Sequence, residues 1–335
     1  MAPRRLPCPA MEERRLGATG LPVSRIGLGL AAVGRPAYIT LGRNADLPAD
    51  RSVEALRQRA RELLDDAMAL GIRYVDVARS YGRAEAFLGS WLEGRPAGAP
   101  IPTVGSKWGY TYVGDWRLDA PVHEVKDHSL AALQRQLGET RAILGEHLNL
   151  YQIHSATLES GVLDDAAVMG ALAELATTGV AIGLTVSGPR QADVILRALD
   201  LRVDGRNPFT SVQATWNVIE RSAEPALAAA HDAGWGVIVK EALANGRLAT
   251  IGTSPAPLAS IADRRAVGPD AVAIAAALER PWADVVLSGA ATVRELESNV
   301  AGIDLTLDAA EIDGLDACRE AAEIYWAERS RLAWT

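Results

Sequence analysis

Cysteine is scarce: Cys8 and Cys318 stand near opposite ends of the 335-residue chain. They offer no metal-site spacing and no disulfide framework, so both are read as thiols in a reducing cytoplasm. Long apolar runs are also missing. Nothing approaches the roughly 20 apolar residues of a membrane span, and the start of the chain lacks the apolar core of a secretion signal. No run of Lys or Arg marks a nucleic-acid surface. The basic cluster Arg4, Arg5, Arg14 and Arg15 reads as a solvated tail on a mildly acidic chain of net charge -8. The expected partner is a small-molecule substrate, with no nucleic acid and no membrane; the oligomeric state is left open.

What is present is apolar material in quantity, 49% of residues, enough for a large core. It falls into short runs that alternate with helical patterns. A hairpin is expected in "RRLGATGLPVS". Strands follow in "RIGLGLAAV", "RYVDVA", "PTVGSKWG", "LNLYQIHS", "AIGLTVS", "SVQATWN", "GVIVKEA" and "DVVLSGA". Between them, helices are expected at 53–70, 83–93, 128–144, 166–178, 189–200, 222–233 and 270–279. Helices at 293–301 and 308–329 end the chain. Eight strand–helix units without a linker predict an α/β protein built as a single (β/α)8 barrel, a TIM barrel, with an N-terminal hairpin and a C-terminal helix. Residues 1–15 are expected to be a flexible tail and 16–335 the barrel domain. A doubly wound open sheet is the runner-up, but "GLGLAAVG" is a poor phosphate turn and no acidic ribose reader follows a second strand.

Barrel chemistry gathers at the C-terminal strand ends. Asp76 ends the second strand, with Tyr81 in the loop beyond; Lys107 ends the third and His154 the fourth. Each alone has a bland reading: a cap or salt-bridge partner, a packing tyrosine, a neutralising lysine, a structural histidine. Together, on three successive strands, they can serve general acid–base catalysis. Lys107 would favour the phenolate of Tyr81, Asp76 would hold Lys107, and His154 would bond a substrate oxygen or share the proton. The set can donate a proton but carries no reductant, so a redox cofactor would complete it.

At this point the sequence resembles the aldo-keto reductase superfamily, bacterial sugar-dehydrogenase-like members in particular. The resemblance lies in "LGATGLPVSRIGLG", "DAMALGIRYVDVARSYGRAEAFLGSWL", "VGSKWG", "LNLYQIHS" and "VVLSGAATVRELESN". It implies a barrel that binds a nicotinamide cofactor across its mouth, NADP(H) ahead of NAD(H), and hydride transfer to or from a carbonyl or alcohol carbon. It assigns Tyr81 as proton donor, Lys107 and Asp76 as its tuning pair, and His154 as the group orienting the carbonyl. For the cofactor it points to Gln213, with Thr185 and Ser187 where the family has Ser-Asn. It points also to Asn299, and to Ala244, Gly246 and Arg247 in the loop over the pyrophosphate.

Departures from the family pattern carry their own expectations. Lys240, followed by Glu241, Ala242 and Leu243, stands where the family places an aromatic ring against the nicotinamide; Trp216 is the candidate replacement, with a packing role as the other reading. Gly289 and Glu295 occupy the family's 2′-phosphate positions. Arg294 is then the candidate cation for NADP, while Glu295 on ribose hydroxyls would favour NAD. Trp108 and Tyr110, in the long loop after Lys107, are the candidate substrate contacts, and the residues 34–51 form a second mouth loop. The substrate would be an aldehyde, a ketone or a sugar lactol. Two other functions stay open: a cofactor-sensing binding subunit of the same fold with little turnover, and a barrel enzyme using Asp76 and Lys107 without nicotinamide.

Overall fold

The computed structural model describes residues 11–47 and 49–335. The hairpin strands β1 (Glu13–Arg15) and β2 (Pro22–Ser24) pair antiparallel. Eight parallel strands then close a barrel: β3 (Ile26–Gly29), β4 (Tyr74–Asp76), β5 (Thr103–Trp108), β8 (Leu148–Ala156), β9 (Ala181–Val186), β10 (Ser211–Thr215), β11 (Gly236–Lys240) and β12 (Val285–Ser288). Strands β6 (Tyr110–Tyr112) and β7 (Glu124–Lys126) form a separate antiparallel pair. Each barrel strand pairs with the next in the chain, and β12 closes onto β3.

Local sequence accounts for the elements. Ser52 caps the helix Val53–Ala69 by accepting from Ala55 N, and Leu56, Ala60, Leu63 and Ala67 recur at helical spacing on its buried face. A capping box of Thr292 and Glu295 starts the helix Val293–Ala301. The strands are fully or almost fully buried, as in a parallel sheet covered by helices. The main core lies between strands and helices. A smaller cluster of Leu16, Val23, Tyr74, Leu150, Ile238, Val285 and Leu287 fills the barrel end beneath the hairpin. The hairpin turn is docked there by the bond from Ala18 N to Gly234 O. The opposite mouth, where the strands' C-terminal ends lie, is left open.

Four features depart from the sequence reading. Glu13–Arg15, placed in the expected tail, form a paired strand, and Met11 is buried; residues 1–10, with Cys8, lie outside the described residues. The long loop after Lys107 is partly the β6–β7 hairpin, whose "YTY" supplies two aromatics and a β-branched residue at alternating positions. The C-terminal helix expected over 308–329 is two, Ala309–Asp316 and Ala322–Ser330. The chain breaks where Cys318 is buried and Glu320 N bonds Ile219 O. A further helix, Ala256–Arg265, was not read from a stretch rich in Ser, Thr and Pro.

Candidate active site

The registers Gly29–Asp76 and Asp76–Gly105 bring β4 between β3 and β5 with Asp76 inside the barrel. Gly105 is required there, because a Cβ would occupy the position of the Tyr74 hydroxyl. That hydroxyl donates to Asp76 Oδ2 at 3.2 Å, and Gln213 Nε2 donates to the same oxygen at 2.9 Å. Asp76 Oδ1 accepts from Lys107 Nζ, which also donates to Val77 O at 3.0 Å. This ion pair is the buried floor of the site.

Tyr81 sits above it. Gly82 turns the chain with φ +61, and a Cβ there would press on Gly34 O at 2.5 Å and Arg35 Cβ at 2.8 Å. The Tyr-Gly pair is thus a packing demand as well as a motif. Lys107 Nζ lies 4.8 Å from the centre of the Tyr81 ring. Among the described residues, no group bonds the Tyr81 hydroxyl, which opens on the cleft.

His154 reaches the same place through a bulge. The β8–β9 register shifts between Ile153 and Ala156, Ser155 takes φ +53, and Ser155 N donates to Thr185 Oγ1 at 2.7 Å. The His154 ring stands edge-on to Tyr81 with centres 5.5 Å apart. Its Nδ1 lies 3.3 Å from Ser80 Oγ, and among the described residues Nε2 has no partner.

Burial, then the charges of Lys107 and Arg35, push the His154 imidazole well below its usual range, so it is neutral. Burial also holds the Tyr81 phenol well above its free value; Asp76 and Glu124 add to this and Arg35 opposes it. The expected lowering by Lys107 is not what dominates, because Asp76 neutralises that ammonium at contact. Tyr81 is therefore in its proton-donor form at neutral pH.

These groups lie in or under a cleft of about 880 Å³ that runs to the helix Val293–Ala301. Thr185, Ser187, Gln213, Lys240, Ala242, Leu243 and Gly246 line it, as do Gly289, Arg294, Glu295, Asn299 and, on the substrate side, Tyr110. Four candidates lie elsewhere. Trp216 is fully buried, bonds Glu224 Oε2 at 3.1 Å and packs edge-on against Trp282, so it does not cover the cleft. Trp108, next to the inward-facing Lys107, points the opposite way along the strand and is buried beside His128. Arg247 turns away to Glu320 and Glu328, and Ala244 lines a separate cavity of about 240 Å³ beside it.

At the end of β11, Lys240 Nζ donates to Thr215 Oγ1 at 2.7 Å and lies 3.8 Å from Glu241. Arg329 holds Glu241 with Nε at 2.9 and 3.0 Å from its two oxygens. Burial lowers Lys240 to about 8, with Glu241 opposing. A charged network occupies the place of the expected ring. Glu295 Oε2 is taken by its own turn, accepting from Ala291 N at 2.8 Å and Thr292 N at 2.9 Å. Asn299 bonds Ser288 Oγ and Asp270.

Sequence reasoning passed over Arg35, Tyr38, Glu124 and Trp334, which complete the wall around Tyr81. Arg35, Tyr38 and Glu124 lie in the two long loops legible as mouth loops and Trp334 in the segment after the last helix, but no spacing ties those residues to Tyr81.

Among the described residues, no group of three or more His, Cys, Asp or Glu could hold a metal, and no helix is long and apolar enough to cross a membrane. The fold is shared with the holo form of aldo-keto reductase AKR11C1 from Bacillus halodurans, at TM-score 0.68 and 22% identity over 93% of this chain and 97% of that one. A Pseudomonas aeruginosa protein assigned to the aldo-keto reductases matches at TM-score 0.61 and 25% identity, over 87% and 94%. An uncharacterized oxidoreductase of Bacillus subtilis, YqkF, is 26% identical over 155 residues, which span 45% of this chain and 42% of that relative. The family model of the Aldo/keto reductase family matches residues 26–320, so the chain belongs to this family of oxidoreductases.

Proposed function

We propose that the protein transfers a hydride between a nicotinamide cofactor and a carbonyl or alcohol carbon, with Tyr81 as the acid–base group. The observation that carries this is the unbonded Tyr81 hydroxyl beside a neutral His154, above the buried Lys107–Asp76 pair. Tyr81 gives its proton to the substrate oxygen. His154 Nε2, without a partner among the described residues, bonds the same oxygen and fixes its approach. Lys107, anchored by Asp76, places a cation beside the ring as negative charge develops on the phenol.

The cleft suits an extended dinucleotide. It is long, it opens beside Gly289, where a Cβ would meet nothing, and it contains a buried Asn245 Oδ1 without a partner among the described residues. Thr185, Ser187 and Gln213 would hold the ring end, with Asn299 and Arg294 at the far end. The bound cofactor supplies the hydride. Arg294 is exposed and has no ion pair among the described residues, which favours NADP(H), its 2′-phosphate needing a cation. Aldehydes, ketones and sugar lactols are the substrate classes the site suits.

The test is steady-state turnover of NADPH with a panel of aldehydes and ketones. Sustained, carbonyl-dependent loss of reduced-nicotinamide absorbance supports the proposal. Tight NADPH binding without turnover on any carbonyl would favour a cofactor-sensing subunit. Binding of neither NADPH nor NADH would contradict it.

A further inference from the structure

Arg35 is 2% exposed, yet it lines the cleft. It sits in the loop that follows β3, one residue beyond Gly34, whose missing side chain lets the loop touch Tyr81 O and Ala84. Its Nη1 donates to Ser80 O at 2.9 Å and to Glu124 Oε1 at 2.7 Å. Its guanidinium carbon lies 5.4 Å from the Tyr81 ring centre, 5.2 Å from Tyr38 and 4.7 Å from Trp334. Its Nε is buried without a partner among the described residues.

A buried guanidinium is costly unless paired, and among the described residues this one has a single carboxylate, Glu124. Trp334 shields it, stacked on its other flank against His123 with centres 4.4 Å apart. Thr335 ties that segment down by exchanging two backbone hydrogen bonds with Tyr38. Structure is therefore assembled from three chain regions to keep a cation against one phenol. With Lys107 at 4.8 Å, the Tyr81 ring has two cations within 6 Å of its centre. They differ in one respect: Lys107 is neutralised at contact by Asp76 under the ring, whereas Arg35 answers to Glu124 on the β6–β7 hairpin.

We propose that Arg35 is a positioning residue that sets how readily the Tyr81 hydroxyl releases its proton, with Glu124 as its counterweight. This rests on the reading of Tyr81 as the acid–base group. In carbonyl reduction the Tyr81 O–H bond breaks as the substrate O–H bond forms, and the electron pair stays on the phenol oxygen. The substrate carbon is reduced by the cofactor's hydride, and the cofactor is oxidised. Arg35 stabilises the resulting charge; Glu124 weakens that stabilisation. The other charged or titratable groups facing Tyr81 are Asp76 and Tyr74 below, Tyr38 from its own loop beside Arg35, His154 from β8, and Glu241 and Lys240 from the end of β11. The Arg35–Glu124 pair can be altered without touching the Lys107–Asp76 floor of the site.

The test uses the full chain carrying difluorotyrosine, a stronger acid than tyrosine, at position 81, titrated by fluorine NMR. Arg35→Met should raise the midpoint by about one pH unit, a tenfold change in acid strength. Glu124→Gln should lower it, and Arg35→Lys, which keeps the charge, should stay nearer the wild type. In alcohol oxidation at a fixed pH below the midpoint, the rates should move in the same proportions. Midpoints that coincide, or that move in one direction for Arg35→Met and Glu124→Gln alike, would overturn the proposal. Should Arg35→Met fail to fold, a midpoint unchanged or raised in Glu124→Gln overturns it alone. The underlying reading is tested separately: full turnover by Tyr81→Phe removes the acid–base role, whatever the midpoints show.

Discussion

The Lys107 ammonium and the Asp76 carboxylate are paired at a depth where their side chains are 1% and 3% exposed. Two further donors, Tyr74 and Gln213, satisfy the carboxylate's second oxygen. The pair is the fixed point from which Tyr81 is placed.

Breaking it from one side leaves an uncompensated buried charge. Lys107→Met is expected to cost about 3–5 kcal/mol of stability, measured by urea denaturation. The double variant Asp76→Asn with Lys107→Met should recover much of that loss and none of the activity. A double-variant loss equal to the sum of the two single-variant losses would show that the two residues act independently.

Glu241 gives a pH-dependent contribution. Burial would raise its carboxyl, but Arg329 and Lys240 outweigh burial and hold it at about 2. A carboxyl depressed in the folded state stabilises the fold above its unfolded value, near 4.5, and loses that contribution as pH falls toward 2. Glu241→Gln should therefore be less stable than wild type by about 1.5–3 kcal/mol at neutral pH. The difference should close between pH about 4.5 and 2, read from urea midpoints across that range.

Two glycines should respond with opposite signs. Gly82→Ala forces a side chain into positive φ and against Arg35, at a cost of about 1–3 kcal/mol, with a fall in kcat as Tyr81 shifts. Gly138, exposed within the helix Leu130–Leu144 and with open space at its Cβ, should gain about 0.5–1 kcal/mol on replacement by Ala. Thermal melts of both variants check the pair.

Arg294 is the cation offered to a 2′-phosphate. Arg294→Ala should weaken NADPH binding by about 10- to 100-fold and leave NADH binding unchanged. Quenching of tryptophan fluorescence reads both. Equal weakening of the two would remove Arg294 from the phosphate site.

The barrel was legible because its strands are short apolar runs and its helices carry caps and helical spacing, as at Ser52 and Thr292. The convergence of Asp76, Tyr81, Lys107 and His154 on one mouth was legible because all four lie at or just beyond the C-terminal ends of successive strands. Trp216 and Trp108 were misplaced because a strand reverses its facing at every residue, and nothing in "TWN" or "KWG" marks which indole points outward. Arg35 and Trp334 escaped notice because they meet only in three dimensions, nearly the whole chain apart.

The most direct measurement compares wild type and Tyr81→Phe for NADPH affinity and for turnover of one aldehyde. The phenol-to-phenyl change removes a hydroxyl with no partner among the described residues and leaves the ring beside Lys107 and Arg35. The account predicts unchanged cofactor affinity with turnover reduced by about 10²- to 10⁴-fold. Turnover equal to wild type would contradict it.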